Sequence, residues 1–491
     1  MPKLSVSSLP EISQTASVPG YARSALSGGI VHFGVGNFHR AHQAVYLDSL
    51  FNLGLDHDFA LIGAGVRAND ADMRQKLQGQ DYLTTVVEQE AGHSAARVTG
   101  AMIDFVAVGD LPGLSRTLAD PKVRIVSLTV TEGGYYIDPA SQRFDAGHPD
   151  IVADSQNPDA PRTVFGLILL GLRLRRAQGV QPFTVMSCDN IPGNGHVTQN
   201  AVAGLAELID PALAAWVREA VAFPNGMVDR ITPATGPRER DALAADFGIE
   251  DAWPVFCEEF KQWVLEDHFP AGRPALEKVG VQFVPDVAPY EHMKIRILNG
   301  GHATIAYPAG LLDIHFVHEA MEHPLIRGFL EKVEREEIVP VVPPVPDTDL
   351  GAYFQLIERR FSNPKIGDTI QRLCLDGSNR QPKFVLPSAA DRLAAGQSVT
   401  GLALVSALWA RYCYGESDSG RPIPPNDPSW DRLTALAKTA RHAPEAWLSM
   451  GDIFGPLATH PSYVAAFSTA LTRLWAHGTA ATLQAYLDEA L

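Results

Sequence analysis

The chain has 491 residues, 46% of them hydrophobic and 20% charged, the make-up of a folded globular protein and not of a disordered or fibrous one. A single core rarely grows past about 250–300 residues, so two domains or more are expected. The formal charge of −16 argues against broad nucleic-acid binding, whose affinity comes from Lys and Arg neutralising phosphates, and no stretch reaches the roughly 18 consecutive apolar residues of a membrane span.

Met1–Gly20 mixes Ser, Pro, Glu and Lys without the apolar core of a secretory signal. Cys188, Cys257, Cys374 and Cys413 share no paired spacing, so they outline neither a disulfide framework nor a zinc knuckle. The expectation is a cytoplasmic protein, monomer or small homo-oligomer, whose partners are small molecules, with no nucleic acid and no membrane.

In chain order, β-rich runs at Ile30–Val35, Phe59–Val66 and Val123–Val130 alternate with helical patterns at Phe38–Leu53 and Asp70–Leu77. That alternation is the signature of parallel strands joined by helices. Phe183–Ser187 reads as a further buried strand, ending in Cys188-Asp189-Asn190 at the carboxyl edge where ligands bind. Beyond Tyr290 the texture becomes helical, at Met293–Leu311, Pro324–Glu336 and Val399–Tyr414, with proline-rich joints at Val339–Pro346 and Arg421–Pro428. The fold class is therefore α/β: a doubly wound sheet over residues 1–285, then a mainly helical domain over 286–491.

Gly34-Val35-Gly36-Asn37-Phe38-His39 leaves a strand and opens a helix, the setting in which glycines let backbone N–H groups approach a pyrophosphate. His39 stands where a third glycine is usual, and a tight turn without ligand is the plainer alternative. Asp70 is the candidate for the adenosine ribose, with Arg67 able to accept a 2′-phosphate instead; NAD is favoured and NADP remains possible. Asp56 and Asp58 precede their strand and are read as solvated.

Lys294, Asn299 and His302 interrupt an apolar helical run, and at about 100° per residue they fall near 0°, 140° and 80°, able to face one cleft. Alcohol oxidation needs a base, donors for an alkoxide and a dry pocket. A partly desolvated lysine can be the base, since burial disfavours its charged form. Gly300-Gly301 inside the helix suggests close approach of a ligand or another backbone. A helix end with a surface Lys and a capping Asn would give the same pattern.

The segment Phe223-Pro224-Asn225-Gly226-Met227-Val228-Asp229-Arg230-Ile231-Thr232-Pro233 resembles the signature of the polyol-specific long-chain dehydrogenases, the mannitol 2-dehydrogenase family. The resemblance extends through Gly34–Gln43, Thr129–Tyr135, Ser187–Asn190, Tyr290–Lys294 and Leu298–His302, nearly the whole chain. It implies a metal-independent oxidoreductase with an N-terminal Rossmann-type domain, a helical C-terminal domain and the active site between them, interconverting D-mannitol and D-fructose with NAD. By resemblance Lys294 is the general base, Asn190 and Asn299 hold the alkoxide oxygen, His302 lies beside them, and Glu132 carries the proton toward solvent. Asp229 and Glu291 are further pocket residues and Arg372 binds distal hydroxyls. Gly34, Gly36, Asn37, Phe38, Arg67 and Asp70 form the cofactor set.

Two positions depart from the family pattern. Arg380 stands where its mannitol dehydrogenases carry lysine, and Asn69 stands where an acidic residue often precedes the equivalent of Asp70. The alternatives within the family are D-sorbitol, D-arabinitol and fructuronate/mannonate enzymes, the last needing a cation such as Arg372 or Arg380. From another class, a non-catalytic dinucleotide-binding regulator remains. His318 and Glu322 share a helix face at a zinc-ligand spacing, yet a polar, ion-paired face is the simpler reading.

Overall fold

A computed structural model describes residues 1–138 and 143–491, with the side chain of Glu132 also outside the described part. The chain divides into two compact units, Met1–Ala288 and Pro289–Leu491.

The first unit is built on strands β1 (Gly28–Phe33), β2 (Ala60–Ala64), β3 (Thr84–Gln89), β4 (Ser94–Thr99), β5 (Met102–Phe105), β6 (Ile125–Leu128), β7 (Thr184–Ser187), β8 (Gly226–Asp229), β9 (Val255–Glu258), β10 (Gln262–Glu266) and β11 (Gln282–Val284). Its main sheet has the order β5-β2-β1-β6-β7, parallel throughout, so the connections reverse direction between β1 and β6. Ligands bind outside the carboxyl ends of the strands at such a switch point. The strands are buried on both faces, with side chains alternating between two cores. Val31, Phe33, Val126 and Leu128 pack with Phe165 and Leu169, whereas Ile30 and Ile125 pack with Leu47, Phe51 and Leu61.

Two expectations about this unit need correction. The helix expected over Phe38–Leu53 is two, Asn37–Ala41 and Gln43–Asn52, broken at His42 (φ −120°, ψ −86°). Beyond the parallel sheet lie two further sheets, β4-β3-β9 and β11-β10-β8, whose short strands carry little periodicity of their own.

The family-signature segment owes its form to a bracket between two Asn-Gly pairs. Asn194 accepts from the Gly226 N–H at 2.9 Å and donates to the Gly226 and Asp189 carbonyls at 2.8 and 3.0 Å. In return Asn225 accepts from the Gly195 N–H at 2.9 Å. A Cβ on Gly195 would lie 2.4 Å from the Phe223 carbonyl oxygen, so only glycine permits the approach. The bracket ties β8 to the turn that follows β7.

The second unit is helical. Its buried centre is the helix Thr400–Tyr412, packed on Pro461–Leu487, which breaks at Gly478 (φ 78°). Tyr463 donates to Ser406 Oγ at 2.8 Å in the buried seam between them. The helix Pro324–Val333 continues as a π turn, Glu334–Ile338, and the two proline-rich joints are non-helical apart from a short 3-10 turn, Val339–Val341. No helix among the described residues is long and apolar enough to cross a membrane.

Asn194→Ala leaves the buried Gly226 N–H without its partner, a loss of about 1–3 kcal/mol. The thermal unfolding midpoint should fall by about 2–4 °C for each kcal/mol lost, as read by calorimetry.

Candidate active site

At the switch point the chain leaves β1 through Gly34 at φ +88°, where a Cβ would lie 2.0 Å from the Thr129 carbonyl oxygen. The Gly36 N–H closes on the Gly34 carbonyl at 2.7 Å. A Cβ on Gly36 would meet nothing nearer than that carbonyl oxygen, at 3.9 Å, so the space over the turn is open. The first-turn N–H groups of Asn37 and Phe38 have no intrahelical acceptor. Open backbone and uncommitted donors fit a pyrophosphate.

The side chains of this turn are structural. Asn37 donates to the Pro233 carbonyl and Thr235 Oγ1 at 3.2 and 3.1 Å and accepts from Arg40 and Trp253 at 2.8 and 3.1 Å. Phe38 stacks on His42 at 4.8 Å. His39, in the place of the third glycine, lies flat on His32 at 3.5 Å, and burial holds it well below the ordinary histidine range.

After β2, Asp70 accepts from the Val66 and Arg67 N–H groups at 2.9 and 2.8 Å through Oδ2, shaping the loop. Arg67 and Asn69 are exposed. Asp58 pairs with Arg124 at 2.8 Å and Asp56 accepts from the Ala275 N–H at 2.6 Å, so neither is merely solvated.

At the end of β7, the Asp189 carboxylate accepts from the Val130 and Thr131 N–H groups at 2.9 Å each and from the Tyr135 hydroxyl at 2.7 Å. It holds Thr131 at φ +65°, a costly conformation for a β-branched residue. Asn190 follows, exposed, while the side chain of Glu132, next after Thr131, lies outside the described part. Asp229 is buried at the end of β8, and its neighbour Arg230 is clamped by Glu88 at 2.6 Å and the Glu258 carbonyl at 2.9 Å.

In the second unit, Glu291, Lys294, Asn299 and His302 share one helical run, Ala288–Leu311, but not a uniform one. Lys294–Asn299 is a π turn. With hydrogen bonds spanning five residues instead of four, the α-helical projection does not hold across this turn, and Asn299 falls closer to the face of Lys294 than 140°. Lys294 is only 6% exposed. His302 stacks on Phe361 at 4.3 Å, and burial, aided by Arg372, pushes its pKa down to about 3.

Arg372 grips Asp368 through both Nε and Nη2, and Arg380 donates to the Leu373 carbonyl at 3.0 Å. Gly300 admits another backbone, with a Cβ 3.2 Å from the Phe384 carbonyl oxygen. A Cβ on Gly301 would sit 3.1 Å from Glu334 Oε1, whose carboxyl burial holds well above the usual range. Among the described residues no group of three or more His, Cys, Asp or Glu side chains is arranged to hold a metal ion.

The sequence model of the mannitol dehydrogenase Rossmann domain matches residues 28–278, and that of the mannitol dehydrogenase C-terminal domain matches 286–475. The chain belongs to the mannitol dehydrogenase family. It is 61% identical to the mannitol 2-dehydrogenase of Cereibacter sphaeroides over 477 residues, 97% of this chain and 100% of that one. The Aspergillus terreus mannitol 2-dehydrogenase is 42% identical over 479 residues, 96% and 95% of the two chains. Among solved structures, Pseudomonas fluorescens mannitol 2-dehydrogenase, in a ternary complex with NAD and D-mannitol, matches with a TM-score of 0.88 at 42% identity, covering 99% of this chain and 100% of that one. A substrate-free D-sorbitol dehydrogenase matches with a TM-score of 0.92 at 33% identity, covering 98% and 100%. The chain is a polyol dehydrogenase.

The family motifs thus hold residues whose bonds are structural, and sequence reading missed these. Asp189, Tyr135, Asn194 and Arg230 shape the loops without a spacing signal, because their partners are far away in the chain.

His32 and His302 are both neutral in the fold, with pKa values near 3. The unfolded chain takes up these protons at about pH 6.5, so the stability they secure is complete above that and is lost as pH falls toward 3. The unfolding midpoint should drop between pH 7.5 and 4.5, and His302→Gln should flatten that drop.

Proposed function

We propose that this polyol dehydrogenase interconverts D-mannitol and D-fructose with NAD, Lys294 acting as general base. The observation that supports the chemistry is the π turn, with a nearly buried lysine at its start and an amide, Asn299, at its end. When bound at the open turn over Gly36, the nicotinamide cofactor supplies the hydride acceptor. The protein's part is to take the hydroxyl proton of the carbinol on Lys294 Nζ as the carbon–hydrogen bond gives up its hydride. Asn190 and Asn299 donate to the developing alkoxide oxygen, a stabilisation that needs only fixed dipoles. Neutral His302 orients the same oxygen, and Glu132 passes the proton from the lysine to solvent. Asp229, Glu291, Arg372 and Arg380 hold the remaining hydroxyls.

Asp70 supports NAD over NADP, because its carboxylate would face a 2′-phosphate with like charge, although exposed Arg67 offers NADP a partner. The ion pair of Arg372 with Asp368 engages one of the two cations a carboxylate substrate could use and so favours a neutral polyol, while Arg380 donates to the Leu373 carbonyl. The substrate choice follows the 61% identity to a mannitol 2-dehydrogenase, and the likeness to a D-sorbitol dehydrogenase makes sorbitol, one stereocentre away, the second reading.

Initial rates of NADH formation with mannitol, sorbitol, arabinitol and mannonate, each repeated with NADP and with chelator, test the reading. Mannitol with NAD should be fastest and chelator without effect; a preference for mannonate overturns the neutral-polyol assignment. Lys294→Ala should lower turnover by about 10²–10⁴-fold while NADH still binds, and undiminished turnover would remove the lysine from the mechanism.

A further inference from the structure

Beneath the turn at Gly34 lies a buried chain of polar groups that none of the proposed chemistry uses. His32, in the middle of the sheet and fully buried, has Nδ1 2.7 Å from Ser127 Oγ and Nε2 3.0 Å from Thr129 Oγ1 and 3.3 Å from the Gly34 carbonyl oxygen. Thr129 Oγ1 donates to the Gly34 carbonyl at 2.6 Å, and Ser127 Oγ stands 3.1 Å from the side-chain amide of Gln43.

Counting hydrogens fixes the direction of this chain. A carbonyl only accepts, so the single Thr129 hydroxyl hydrogen goes to Gly34 at 2.6 Å, and His32 Nε2–H donates to the nearer Thr129 Oγ1 at 3.0 Å, with the Gly34 carbonyl at 3.3 Å as its second acceptor. A neutral imidazole has one N–H, so Nδ1 accepts from the Ser127 hydroxyl. Ser127 then has no hydrogen left for an amide oxygen, and Gln43 must turn its NH₂ toward it. That orientation also gives a partner to Gln43 Nε2, which otherwise has none among the described residues. Donation thus runs one way, from Gln43 to Ser127 to His32 to Thr129 and onto the Gly34 carbonyl.

We propose that Gln43, Ser127, His32 and Thr129 form a positioning relay that fixes the Gly34 carbonyl and thereby sets the Gly34–Phe38 backbone for the dinucleotide pyrophosphate. The sheet does not need the relay, because β1 and β6 are already paired by their ladder from Ile30 to Phe33. The relay ends on the one carbonyl that also receives the Gly36 N–H at 2.7 Å, so it acts on the turn itself. His39 covers one face of the His32 ring, the two centroids 3.5 Å apart.

The inference rests on the dinucleotide reading of this turn, and the test separates the two. NADH affinity is measured by fluorescence titration for the wild type, Thr129→Val and Thr129→Ser, alongside the polyol KM at saturating NAD. Thr129→Val keeps the shape and removes the donor, so NADH binding should weaken about tenfold, with a much smaller change in polyol KM, and Thr129→Ser should restore affinity to within about twofold. A wild type that does not bind NADH overturns the dinucleotide reading. A wild type that binds, with Thr129→Val binding equally well or Thr129→Ser failing to rescue, overturns the relay. Should Thr129→Val not fold, Ser127→Ala, which breaks the chain two links earlier without adding volume, carries the same comparison.

Discussion

The constraint on which the cofactor end depends is the closeness of two backbones where β1 ends. β1 and β6 run parallel in register through Phe33 and Leu128, and the next residue of β1 has to turn with the Thr129 carbonyl 2.0 Å from where a side chain would begin. Only glycine can stand there, and only with positive φ. Such a turn gains little from its own contacts, so it is held from outside, by the Thr129 hydroxyl, by Arg40 and by the amide of Asn37. Residues that would look like ligand contacts in a motif keep the turn in shape, and the backbone over Gly36 is left open.

A second backbone departure organises the helical unit. A π turn is a poor way to build a helix, with longer hydrogen-bonded rings and looser packing, and it persists where something else benefits. Here it brings Asn299 round toward the face of Lys294. The glycines that follow let the Phe384 carbonyl, Phe361 and the buried Glu334, its carboxyl held well above the usual range by burial, close in on the helix. The same unit keeps His302 uncharged between an aromatic face and a group of arginines. The Arg372–Asp368 pair ties up one of those cations.

Buried carboxylates and amides do the work that metals or disulfides do in smaller folds. Asp189 joins two strand ends by collecting the N–H groups of the Val130–Thr131 loop, and the reciprocal Asn194 and Asn225 bonds pin β8 beside them. Each charge or amide is matched by several donors, which is what makes burial affordable.

The sequence alone determined the alternation of strands and helices, the parallel sheet, the helical second half and the residues with chemical potential, because these follow from local periodicity and from residue type. It also carried the family motifs, whose specificity comes from many short blocks in order. Three things were decided only in three dimensions. The helix after Gly36 breaks at His42, whose ring packs on Phe38 and Trp263 and reaches the Gln262 carbonyl at 2.9 Å, the last two partners being far away in the chain. The two small sheets exist because long-range pairing, not local pattern, makes strands such as Gly226–Asp229 and Gln282–Val284. The placing of Asn299 relative to Lys294 depends on a π turn, since the hydrogen-bond register of a helix is set by what packs around it and leaves no mark in residue spacing.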